Sequence, residues 1–101
     1  MSNPLRGEAV LVLGERRYLL RPSFEALVAA EEELGSLFAL VERAGEGGLR
    51  LSEIAALFWH CCPADERPSR EAVGRGVVAL GLAEASRPLK VLLSEILRGS
   101  P

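Results

Sequence analysis

Aromatic side chains are scarce in this chain, at 5% of 101 residues. Its core must be built from Leu, Val and Ala, which favours helix packing over a large sheet. Cysteine is scarcer still. The two thiols are adjacent, Cys61-Cys62, and cannot staple a disulfide framework, so a reducing compartment is expected, the bacterial cytoplasm. A basic excess is also missing: 12 Lys and Arg stand against 14 Asp and Glu, for a net charge of −2. That balance argues against nucleic acid as a partner, because neutralised phosphates supply much of such affinity. No apolar run approaches the roughly 20 residues of a membrane span. The opening MSNPLRGE lacks the apolar core of about 7–15 residues that marks a signal peptide.

What is present is a hydrophobic share of 49% beside 26% charged residues. This is the composition of a folded chain, and its length suits a single domain over residues 1–101.

The first third carries the strongest pattern. Residues 8–13 (EAVLVL) have strand length, Gly14-Glu15 suits a two-residue hairpin turn, and residues 16–21 return. A hairpin over 8–21 places Leu11 opposite Tyr18 and Ala9 opposite Leu20 on one side. On the other side Val10 faces Leu19, Val12 faces Arg17, and Glu8 faces Arg21 as an ion pair. A lone two-stranded hairpin is marginal in water and needs cover. Helices can cover one face. The other, with Val10, Val12 and Leu19, is a candidate surface for a protein partner or for self-association into a homo-oligomer.

Pro22 ends the second strand and Ser23 is a good helix N-cap. Phe24, Leu27, Val28 and Leu34 follow at helical spacing as an inward stripe, with Glu31 in the gap. Gly35 suits the left-handed residue that closes a helix. Ser36 can cap the next helix, whose inner face is Leu37, Leu40, Val41 and Ala44. A carboxylate on an apolar stripe needs donors. The unpaired N–H groups just past Gly35 are the nearest, so Glu31 is expected to bracket these two helices. Glu32 and Glu33 read as a solvated face.

Further along, GEGG at 45–48 is a loop. Ser52 is expected to cap a third helix with Ile54, Leu57, Phe58 and Cys61 inward, ended by Pro63. Ser69 starts a fourth helix with Val73, Val77 and Leu80 as its stripe. The last segment has the best amphipathic pattern, Leu89, Leu92, Leu93, Ile96 and Leu97. Its face Leu89, Leu93, Leu97 is the second candidate binding surface. Pro88 leaves two starts open for this helix, near Ala83 with a bend or near Arg87. The expected fold is α+β, mainly α: an N-terminal β-hairpin followed by four to five short helices over 23–98.

Chemistry is harder to find. A zinc site needs four ligands at workable spacing, and no second ligand pair accompanies His60-Cys61-Cys62. Adjacent helical residues point about 100° apart, so His60 does not face Cys61 as the base of a nucleophile would. The trio reads as packing cysteines with a surface or capping histidine. Gly74-Arg75-Gly76 lacks the lysine and the setting of a phosphate loop. The run LSEIAALF at 51–58 is similar to the first helix of a helix-turn-helix, but no short turn and recognition helix follow it. No catalytic, metal-ligating or cofactor-binding residue is assigned, and the chain does not read as an enzyme.

Gly7, Glu8, Leu11, Gly14, Tyr18, Leu20, Arg21, Pro22, Ser23, Ala26, Leu27, Glu31, Gly35 and Ser36 together form a recognisable order. It resembles small tail proteins of phages and α-proteobacterial gene transfer agents, often labelled tail tube proteins and better described as tail assembly chaperones. The agreement is specific over residues 7–36 and looser downstream. The tract WHCCPADERPSRE departs from it most. The resemblance implies a non-enzymatic role in building the tail of a phage, prophage or gene transfer agent particle. The implied partners are the tape-measure protein and/or the major tail tube protein, engaged at an assembling tail. Two alternatives stand beside this: a structural component retained in the tail, and a small DNA-binding regulator.

Overall fold

The computed structural model describes residues 9–98. Two strands, β1 (Ala9–Leu13) and β2 (Arg16–Leu20), precede five helices: α1 (Phe24–Leu34), α2 (Leu37–Gly45), α3 (Leu51–Cys61), α4 (Arg70–Leu80) and α5 (Leu82–Arg98). The fold is α+β and mainly α.

The hairpin forms because two apolar period-2 runs flank a residue able to turn. Gly14 adopts φ 64°, and the strands pair antiparallel with Ala9 opposite Leu20, Val10 opposite Leu19, Leu11 opposite Tyr18 and Val12 opposite Arg17. The expected Glu8–Arg21 pair lies outside the described residues. Ala9, Leu11, Tyr18 and Leu20 are buried where β1 packs on α4 and α5. Gly76 of α4 permits that approach, since a Cβ there would sit 2.7 Å from Leu13 Cδ2. The Arg21 N–H donates to the Cys61 carbonyl at 2.9 Å, fastening the end of the hairpin to the end of α3.

Three serines start helices in the same way, each hydroxyl accepting from the N–H three residues on. Ser23 takes Ala26 at 3.2 Å, Ser36 takes Ala39 at 3.3 Å and Ser69 takes Ala72 at 3.0 Å. The third helix departs from expectation: it starts at Leu51, and Ser52 does not cap it. Glu53 does that work, accepting the Arg50 N–H at 2.8 Å while taking both Arg43 Nη atoms at 2.9 and 2.8 Å. This paired guanidinium holds the Glu53 carboxyl below the usual carboxylate range and ties α2 to α3.

The orientation of α1 also differs from the expected stripe. Its fully buried residue is Ala30, while Phe24 is 77% exposed and Val28 is exposed as well. The helix meets α3 through small side chains, with Ala26 and Ala30 in the core cluster or against it. Close packing on alanines leaves its largest residue pointing outward. Leu27 and Leu34 sit half-buried at the margin.

The last helix begins at Leu82 and runs through Pro88 without ending. Proline there removes one helical donor, that of the bond to the Glu84 carbonyl. Ala85, Leu89, Leu92 and Leu93 are buried on it, joining Phe58, Leu11, Leu20, Leu40 and Leu57 in the core.

Candidate interaction surfaces

Gly35 breaks the chain sharply between α1 and α2, with φ 88°. Across that break the Glu31 carboxylate accepts the Leu37 N–H at 3.0 Å, supplying an orphan donor of the α2 N-terminus. Glu31 is exposed rather than set into a buried stripe. The side chains it brings together, with the end of α5, line a groove of about 230 Å³: Leu27, Glu31, Leu37, Phe38, Val41, Ile96 and Leu97. Phe38 is 78% and Leu97 58% exposed. Clustered large apolar side chains in water are the usual mark of a contact surface.

The two surfaces anticipated from sequence fare differently. On the hairpin, Val10 and Leu19 are half-buried and Val12 is exposed, opposite an exposed Arg17, on the side turned away from the helices. The α5 triad divides. Leu89 and Leu93 are core residues, because the body of α5 lies against β1 and α4. Only Leu97, in the last turn, emerges, and it does so in the groove. Among the backbone-setting residues, Gly14 makes the hairpin turn, Pro22 links β2 to the Ser23 cap, and Gly35 closes α1 with its N–H on the Glu31 carbonyl at 2.9 Å.

A cluster that sequence reasoning missed joins α1, α3 and α4. His60 is buried, and its Nε2 lies 2.8 Å from Glu33 Oε1. Arg70 Nη1 donates to Glu33 Oε2 at 2.8 Å, and Nη2 donates to Oε1. Hydrogen bonds from Arg70, and then from His60, hold the Glu33 carboxyl below the usual range. The guanidinium groups of Arg67 and Arg70 lie 4.2 and 4.5 Å from the Trp59 ring centre, a cation–π arrangement. Trp59 Nε1–H donates to the Pro68 carbonyl at 2.9 Å. Glu33 is therefore no solvated charge and His60 no surface histidine. One signal was available: three cationic or imidazole side chains within reach of a single tryptophan in WHCCPADERPSR.

The chemistry of this cluster is structural. Burial pushes the Cys61 thiol up to about 12 and the Cys62 thiol up to about 11. Both stay protonated near neutrality and are poor nucleophiles. The Nε2 of His60 is engaged by Glu33, which removes it as a base. Among the described residues no group of three His, Cys, Asp or Glu side chains could hold a metal ion. No helix among them is long and apolar enough to cross a membrane. Of the arginines on α4, Arg70 is consumed by Glu33 and Trp59, which removes it from any reading of α4 as a recognition helix.

A comparison with protein-family models matches residues 6–99 to a model described as phage tail tube protein, GTA-gp10. Neither the curated proteins nor the solved structures give a match.

Proposed function

The chain belongs to the phage tail tube protein, GTA-gp10 family, and on that premise we propose that it is a non-enzymatic tail assembly chaperone. In this reading it binds the tape-measure and/or major tail tube protein in the bacterial cytoplasm while a tail is being built. The observation that carries it is the groove between α1, α2 and α5, with Phe38 and Leu97 held in water. A groove of this kind suits the apolar stripe of a partner helix. The hairpin residues Val10, Val12 and Leu19 offer a second contact. Protonated cysteines and an engaged His60 favour binding over catalysis.

The test is co-expression with the tape-measure and tail tube proteins encoded beside it. Wild-type chain should raise the soluble yield of a partner and co-purify with it. Phe38→Asp and Leu97→Asp should lose both effects while keeping the wild-type circular dichroism spectrum. Unchanged capture by a folded double variant would remove the groove from this role. The family description itself favours a second reading, a tail component that stays in the particle. Mass spectrometry of purified particles decides between them: stoichiometric chain in finished tails supports retention, and its absence supports a chaperone.

A further inference from the structure

The groove and the outer hairpin face are opposite in charge as well as alike in being apolar. The segment 23–42 that supplies most of the groove contains five glutamates and neither lysine nor arginine. Glu33 is occupied by His60 and Arg70, but Glu25, Glu31, Glu32 and Glu42 are exposed. None of these four has an ion-pair partner among the described residues. Glu42 lies one helical turn past Phe38, on the groove side of α2.

The hairpin supplies the complement. Its outer face alternates Arg17, Leu19 and Arg21 along the second strand and its exit, against Val10 and Val12 on the first. Arg17 is exposed and has no ion-pair partner among the described residues. No hairpin residue lines the groove, so the two patches are separate sites on one molecule. We propose that copies of this chain dock head to tail, the outer hairpin face of one copy seated in the α1–α2–α5 groove of the next.

The contact would cover Phe38 and Leu97 with Val12 and Leu19, and set Arg17 among the glutamates of α1 and α2. Matched charge at the margin of an apolar contact guides approach and fixes register. Such a contact joins unlike patches, so it can propagate through further copies or close into a ring. A second copy then occupies the groove before any other partner does. The proposal stands on these two surfaces alone and not on the tail reading, so either can fail without the other.

Sedimentation and light scattering across a concentration series test it. Wild-type chain should show a mass that rises with concentration and falls with added salt. Arg17→Glu disables the face and Phe38→Asp disables the groove, each at an exposed residue. Each variant alone should associate more than about tenfold more weakly than wild type. Mixed in equal amounts they should form a one-to-one dimer, because one retains its groove and the other its face. Arg17→Gln and Phe38→Ser serve if either variant loses its folded spectrum. A wild type that stays monomeric overturns the proposal, as does a mixture that stays monomeric. So does undiminished association of Phe38→Asp alone, which would indicate hairpin-to-hairpin contact.

Discussion

Two regions of this small molecule meet on α1 and follow opposite rules. On one side Glu33 enters a closed polar cluster in which His60, Arg70, Trp59 and Arg67 satisfy one another. On the other, Leu27 and Glu31 face a groove whose apolar side chains are left in water. The first region is complete within the chain. The second is completed only by something else. Part of the molecule that looks reactive by residue type is scaffold, and the part with no reactive residue is where function resides.

Mutations should separate the two. The largest effect is expected for Trp59→Ala, which removes the ring held by two guanidinium groups and a backbone carbonyl. Truncations of this kind cost about 3 kcal/mol, so the urea midpoint should fall well below that of wild type. A stability unchanged to within about 0.5 kcal/mol would mean that the cluster is no clasp.

Acid should act on the same side. The Glu33 carboxyl is lowered by Arg70 and His60 relative to its unfolded value. Its contribution is therefore present above about pH 4–5 and lost as pH falls through the folded value. Glu53 is lowered by Arg43 and adds to the same window. Glu33→Gln should flatten the decline of the urea midpoint below about pH 5, and pairing it with Glu53→Gln should flatten it further. A decline as steep in the double variant as in wild type would place the acid sensitivity elsewhere.

The smallest effect on stability belongs to the groove. Phe38→Ser removes an aromatic ring that is 78% exposed, and surface changes of this sort stay within about 0.5 kcal/mol. Partner capture should nonetheless collapse. A substantial loss of stability would show that Phe38 supports the fold, and the contrast between the two regions would then weaken.

The legible parts of the fold were those set by near neighbours. The hairpin register follows from period-2 alternation around Gly14, and three of the four predicted caps follow from a serine placed before an apolar run. Glu31 was legible for the same reason: its donor is six residues away, on a helix start that had to be satisfied somehow. The hidden parts depend on distance along the chain. Glu33 meets His60 across 27 residues and Arg70 across 37, so nothing local marks it apart from Glu32. Helical spacing could not rank the faces of α1, where Ala26 and Ala30 allow a closer contact than Phe24 and Val28 would. Nor could it separate Leu89 and Leu93 from Leu97, which share one stripe but lie over different neighbours.

The Arg21 amide gives the seating of the hairpin its own clock. Amides inside the ladder are held by the opposite strand and exchange with solvent when the strands part. The Arg21 N–H is held by the Cys61 carbonyl of α3, so it exchanges when the hairpin lifts away, even with its strands still paired. Where the two opening free energies coincide, the hairpin exists only as part of the helical body. Where Arg21 exchanges faster, the hairpin is a separable unit riding on that body.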